Sequence, residues 1–265
     1  MPGEHRSAEH VEYVLRLADN ALVLGQRLAE WCGHGPALEE DIAATNVALD
    51  LIGQARLLLA HAGQLEGKGR DEDQLAFLRE VPDFRNATLL ELPNSGVASA
   101  GAAAGDYAVA IVRNLLFSAY QVELWQALSK SIDGELAAIA AKSLKESRYH
   151  LRHAADWAIR LGDGTDESHA RTQAALDALW PYTHELSETD PVEAAVARHG
   201  IGVESANLRQ GWHDTVAAVL AEATLALPPD TAFRSTGKLG RHSEHLGFLL
   251  AEMQSLHRQH PGATW

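Results

Sequence analysis

The sequence predicts an all-α protein built on a bundle of four long helices, with later helices packed against it. Three observations carry this. Apolar residues recur at three- and four-residue steps over long stretches. No alternating β-branched segment of convincing length occurs. Gly and Pro collect at intervals between Ala- and Leu-rich runs, as in helices cut by turns. The chain has 265 residues, 46% of them hydrophobic, enough for one large core or two modest ones. With no repeat period in sight, the reading is a single domain over 1–265.

Residues 1–6 read as a disordered tail. The pattern Val14, Ala18, Ala21, Gly25, Leu28, Cys32 predicts a first helix over 7–31, whose small residues let a neighbour approach closely. Gly33-His34-Gly35-Pro36 ends it. A second helix fits 37–62, with Glu39, Glu40 and Asp41 favourable at its positive end. The charged, Gly-rich 63–73 is a loop, a short helix fits 73–80, and Pro82 opens an irregular stretch. The Ala/Gly-rich 95–105 reads as a flexible loop that tolerates insertion. Long helices fit 106–130 and 134–161, split by the Asp133-Gly134 turn. Another fits 168–186, where Pro181 either kinks it or begins its end. Asp190-Pro191 starts a short helix, and further helices fit 203–226 and 239–258.

Charge narrows the function classes. The 22 Lys and Arg stand against 36 Asp and Glu, a net charge of −14. Such a chain repels phosphate backbones and anionic bilayers, which argues against nucleic-acid and membrane-surface roles. Cys32 is the only cysteine, so there is no intrachain disulfide and no cysteine-based metal site. The start, MPGEHRSAEHVEY, lacks the basic and apolar regions of a signal peptide. No uncharged apolar run approaches the roughly 18 residues of a membrane span. A cytoplasmic protein is expected.

The stretch KESRYHLRH (145–153) raises the question of a metal. At 100° per residue Glu146, His150 and His153 fall within about 60° of one another, a plausible partial ligand set for iron or zinc. A dimetal site in a helix bundle needs two carboxylate-bearing helices and two Glu-x-x-His pairs. No glutamate in this chain has a histidine three residues later; Glu146 has Tyr149 there. Asp166-Glu167-Ser168-His169 comes nearest, but Asp166 reads as a helix cap. On the second helix Asn46 and Asp50 are followed by Leu49 and Gly53. On the third long helix Glu123 is available, while Gln121 is expected to point elsewhere. Lys142 lies one turn before Glu146 and would repel a divalent cation. The favoured reading is a metal-free polar cluster of Lys142, Glu146, Tyr149, His150 and His153, with Asn46 and Asp50 beside it and a Lys142–Glu146 pair filling the space of a metal. The alternative is an autonomous oxidase or oxygenase using Glu146, His150 and His153 with acids such as Asp19, Asp50 or Glu123.

Other candidates are weaker. Asn46, Asp50 and Gln54 form a polar step along the second helix, read as interhelical hydrogen bonding. His242-Ser243-Glu244-His245 is read as an intersubunit contact or a polar cluster at a helix start. Asp83-Phe84-Arg85-Asn86 puts an Arg beside an aromatic in an irregular segment. It is either a contact for the phosphates or adenine of an acyl-CoA, which would make the chain a CoA-ester binding module, or, as the favoured reading, an exposed loop anchored by Phe84.

The runs RLAEWCGHGPALEEDIAATNVALDLIGQAR (27–56), DEDQLAFLRE (71–80), KESRYHLRHAADWAIRLGDGT (145–165) and HSEHLGFLLAEMQSLHRQHPGATW (242–265) resemble the C-subunit family of bacterial phenylacetyl-CoA oxygenases, also called ring-1,2-phenylacetyl-CoA epoxidases. The resemblance covers nearly the whole chain; 95–105 and the N-terminal extension depart from it. It implies a ferritin-like fold and a non-metallated structural subunit with no cofactor of its own. It further implies pairing, as a heterodimer or dimer of heterodimers, with a homologous catalytic A subunit that carries the di-iron centre. A small B subunit and a flavin/iron–sulfur reductase would complete the system, which uses O₂ and NADPH to epoxidise phenylacetyl-CoA in aerobic phenylacetate catabolism. Phe84 and Asn86 match the family, and the resemblance allows this subunit to touch the CoA substrate.

Overall fold

Ten α-helices and four short 3-10 turns make up residues 5–95 and 106–263, those described by the computed structural model; no strand occurs among the described residues. α1 (His5–Ala29) and α2 (Leu38–Glu66) form the first hairpin. Two short helices, α3 (Glu72–Phe77) and α4 (Thr88–Glu91), lead to the second, α5 (Tyr107–Leu128) and α6 (Gly134–Gly162). The two hairpins meet along α2 and α6 and form the four-helix core of a ferritin-like bundle. Around it pack α7 (Asp166–Leu179), α8 (Pro191–Arg198), α9 (Arg209–Glu222) and α10 (Glu244–Gln259).

The α1/α2 pair is close because α1 keeps small residues at its contact. A Cβ on Gly25 would stand 3.1 Å from Ile52 Cγ1 and 3.3 Å from the Ala48 carbonyl. Val14, Ala18, Ala21 and Leu28 are buried as the spacing predicts, whereas Cys32 falls beyond the helix and is exposed. α2 ends where Gly67 takes a left-handed conformation, φ 67°, and returns its N–H to the Gly63 carbonyl. By length and hydropathy α2 would pass for a membrane span. It nevertheless carries Asp50 and Arg56 and buries Leu51, Ala55, Leu58 and Leu59 in the core. α5 is buried on nearly every side, which is why its run AVAIVRNLLFSAY shows little polar periodicity.

Several boundaries differ from the sequence reading for local reasons. α1 already starts at His5, so only residues 1–4 of the expected tail lie outside the described residues. Residues 96–105 of the Ala/Gly-rich loop also lie outside them; on either side, the Asp106 N–H donates to the Asn94 carbonyl at 2.9 Å. Thr165, not Asp166, caps α7: its hydroxyl accepts from the Ser168 N–H, and the Ser168 hydroxyl answers to the Thr165 N–H. At Pro181 the α-helix passes into the 3-10 turn Trp180–Leu186, since proline removes a backbone donor. The last expected helix begins five residues late, at Glu244, after a 3-10 turn at Gly237–Leu239.

Candidate functional site

The face of α6 that looks into the bundle carries Ser143, Ser147, His150, Ala154 and Ala158 at three- and four-residue steps, all buried. Glu146 lies at its edge. Opposite, α2 contributes Asp50 and Gln54, and α5 contributes Gln121. Gln54 Nε2 donates to Glu146 Oε2 at 2.9 Å, and Gln121 Nε2 donates to Gln54 Oε1 at 3.3 Å. Both glutamines are 1% exposed. One turn further, His150 Nε2 stands 2.9 Å from Asp50 Oδ2. Burial pulls the His150 pKa down and the Asp50 hydrogen bond only partly restores it. The ring is therefore neutral at pH 7 and donates its Nε2–H to the carboxylate. His153 Nε2 reaches Glu40 Oε2 at 2.9 Å, and the Tyr107 hydroxyl donates to the same oxygen at 3.1 Å. Burial and the neighbouring Glu40 carboxylate push the Tyr107 phenol well up, so it stays a donor.

This layer does not fit a dimetal centre. Gln54 points an amide N–H, which cannot ligate, at Glu146. Among the described residues no set of three Asp, Glu, His or Cys donor atoms gathers here within ligating distance. Glu146, His150 and His153 share a face of α6, but each is committed to a different partner on α2.

The expected cluster is thus partly redrawn. Lys142 does approach Glu146, with Nζ 3.6 Å from Oε1, but its side chain is 58% exposed. It makes a surface pair worth little, and the space assigned to it is filled by Gln54. Tyr149 lies at the rim, 44% exposed and stacked beside His153, and Asn46 is exposed and outside the cluster. Gln121, expected to point elsewhere, points in, while Glu123 turns to α9, where its carboxylate lies over Gly211. Helical phase sets the two about 200° apart, on opposite sides of α5, but does not say which side faces α2.

Asp83, Phe84, Arg85 and Asn86 form a tether. Phe84 and Asn86 are fully buried. The Phe84 ring lies under the Arg79 guanidinium at 4.3 Å, and Arg79 pairs with the fully buried Asp19. The Arg85 N–H donates to the same Asp19 carboxylate at 2.9 Å, while its guanidinium turns back to the Pro82 and Phe84 carbonyls. Asn86 donates to Glu91 at 2.8 Å, and the Asp83 carboxylate accepts the Glu80 N–H. The anchoring by Phe84 is as expected, but of the four only Asp83 is exposed, and with Arg85 it lines a surface pocket beside Glu12 and Lys68. His242 belongs to the same network, its Nδ1 2.7 Å from Glu91 Oε2 at the start of α10. It is the polar helix-start cluster, with the carboxylate supplied from far away in sequence.

Sequence reasoning missed several buried charges. Glu185 accepts from the Thr88 and Lys238 N–H groups and the Ser235 hydroxyl, and Glu193 from Ser205 and Lys238. Arg113, fully buried, donates to the Leu92 carbonyl and Asn94 with no carboxylate within ion-pair distance among the described residues, and burial pulls its pKa down to about 9. A lone charge inside an apolar helical run, as at Asp19 and Arg113, was the available signal.

A family model described as "Phenylacetic acid catabolic protein" matches residues 1–265. The chain is 48% identical over 253 residues to the C subunit of the 1,2-phenylacetyl-CoA epoxidase of Escherichia coli (strain K12), covering 96% of this chain and 98% of that protein.

Proposed function

Because the chain belongs to the phenylacetic acid catabolic protein family, we propose that it is a structural subunit of a 1,2-phenylacetyl-CoA epoxidase, one that keeps an oxygenase-type bundle and leaves the oxygen chemistry to a catalytic partner. The observation that carries this reading is the Gln121–Gln54–Glu146 chain at the bundle centre. There, the Gln54 amide, itself held by Gln121, satisfies Glu146 Oε2 from the buried side, where a cation would otherwise sit, and Lys142 lies 3.6 Å from Oε1 on the solvent side. The partner is a homologous A subunit holding di-iron, with a small B subunit and a flavin/iron–sulfur reductase in the full cytoplasmic system. This chain itself carries no catalytic residue and no cofactor for that reaction.

The outer side of α2 supports a partner. Leu38, Ile42 and Leu49 fall within about 40° of one another at 100° per residue, and their exposures are 71%, 51% and 60%. The exposed Tyr149 of α6 adds a further apolar side chain. A row of exposed large apolar side chains on one helix is the mark of a protein interface. Co-expression with the epoxidase's catalytic subunit tests the reading. The expected result is a complex stable at micromolar concentration whose iron stays with the partner when the chains are separated. An isolated chain that holds iron, loses it in Glu146→Ala and consumes O₂ with phenylacetyl-CoA would overturn it.

A further inference from the structure

Far from the bundle centre, three metal-ligating side chains converge from three helices. His10 comes from the start of α1, His61 from the last turns of α2, and Asp133 is the N-cap of α6. Asp133 Oδ1 accepts the Glu135 and Leu136 N–H groups at 3.1 Å each. That fixes the carboxylate and aims Oδ2 at both imidazoles: His10 Nε2 stands 2.8 Å away and His61 Nε2 2.7 Å. The three side chains are only 11%, 8% and 9% exposed. Their donor atoms all lie within 4.8 Å of one another. Asp133 lies about 20 Å along α6 from Glu146 at 1.5 Å per residue, so this cluster is separate from the bundle-centre layer.

We propose that His10, His61 and Asp133 form a binding site for a divalent transition-metal cation, with Zn²⁺ the best match to the donor set. Two imidazoles and one carboxylate are borderline ligands; Mg²⁺ and Ca²⁺ take oxygen sets instead. Little movement is needed. With metal–ligand bonds of about 2.0–2.1 Å, tetrahedral donor atoms stand about 3.3 Å apart. Each Nε2 therefore withdraws by roughly half an ångström from Oδ2 as the cation enters between them.

The protons also have somewhere to go. On binding, the two N–H···O contacts become two N–metal bonds, and each ring carries its proton on Nδ1. His61 Nδ1 is buried with no hydrogen-bond partner among the described residues, so only the Nε2–H bond to Asp133 holds the present tautomer, and that is the bond the cation replaces. Burial holds His10 toward its neutral, ligating form. The backbone bonds to Asp133 Oδ1 supply the outer support that ligating carboxylates usually have. Ser131, two residues before Asp133, is already committed, accepting the Asp133 N–H and donating to the Ile201 carbonyl. The fourth position is left to water. A cation here ties the start of α1 and the end of α2 to the start of α6, where the two hairpins of the bundle meet.

The test uses the full chain, stripped with chelator and titrated with Zn²⁺ alone by calorimetry and thermal unfolding. One equivalent should bind and raise Tm. His61→Ala and Asp133→Asn should each weaken binding at least about tenfold; Asn keeps the helix cap, so Asp133→Asn separates ligation from folding. Glu146→Gln should bind Zn²⁺ as the parent does. If His61→Ala fails to fold, His10→Gln reads the same loss. No uptake of Zn²⁺, or uptake undiminished in both Asp133→Asn and His10→Gln, would overturn the proposal.

Discussion

Replacing Gln54 with Glu sets a second carboxylate against Glu146 at the point where an amide N–H now donates, 2.9 Å from Oε2. Two unit charges relaxed to about 4 Å repel by about 4 kcal/mol at an effective dielectric constant of about 20. The hydrogen bond lost with the amide adds about 1 kcal/mol. Glu146 is 20% exposed and has Lys142 Nζ 3.6 Å from its other oxygen, so part of the repulsion is screened. The expected destabilisation at pH 8 is about 3 kcal/mol. The two carboxyls can escape it by sharing a proton, which raises one folded-state pKa above its unfolded value. Stability is then lost as pH rises through that raised value, and the penalty should shrink towards pH 5. Gln54→Met removes both hydrogen bonds without adding charge, at about 1–2 kcal/mol and without that pH dependence. Urea denaturation of the three proteins at pH 5 and pH 8 decides the matter. Equal stability of Gln54→Glu and Gln54→Met at pH 8 would refute the argument that this amide holds the place of a cation.

Other outcomes follow from the same contacts. Arg79→Met strands the fully buried Asp19 carboxylate and should cost about 3–5 kcal/mol in urea denaturation; Asp19→Leu combined with it should cost less than the sum of the two, and strict additivity would count against the pairing. His150 and His242 should respond to pH in opposite senses. Burial sets the folded pKa of His150 below 6.5, so its contribution is complete above pH 6.5 and is lost as pH falls through the folded value. For His242 burial also lowers the pKa, but the bonds to Glu91 and the Phe84 carbonyl outweigh it, so its contribution is complete below pH 6.5 and is lost as pH rises through the folded value. The Tm gap between parent and His150→Gln should narrow on acidification and that for His242→Gln on alkalinisation; trends in one common direction would contradict both assignments. Ile42→Glu and Leu49→Glu should leave stability within about 0.5 kcal/mol and reduce capture of the catalytic subunit, and undiminished capture would take α2 out of the interface.

Much of the centre was legible because ligand spacing is a local property. The absence of Glu-x-x-His, the polar step Asn46–Asp50–Gln54 (of which Asn46 turns out to be exposed) and the shared face of Glu146 and His150 can all be read along single helices. Which residue fills the space could not be. Lys142 follows Glu146 in helical phase, yet a long ammonium side chain reaches solvent from the rim of a bundle at less cost than it stays buried. Gln121 and Glu123 both border the core, and the choice between them depends on how α5 is rotated against α2 and α9. The stretch Asp83–Asn86 looked like a loop offering an Arg because its acceptor, Asp19, lies 66 residues before Arg85.

The sequence by itself determined the long helices, many of their ends, the lack of a dimetal ligand pattern and the family, since each of these is written in short-range periodicity, capping chemistry or continuous runs of residues; it missed the short α4. Only the tertiary structure decided which polar groups meet: Gln54 with Glu146, His150 with Asp50, Arg79 with Asp19, His242 with Glu91, and His10 and His61 with Asp133. Each of those pairs joins different elements of the chain. A hydrogen bond forms or fails over a few tenths of an ångström, and that accuracy comes from how the helices are rotated and seated on one another, which no single helix encodes.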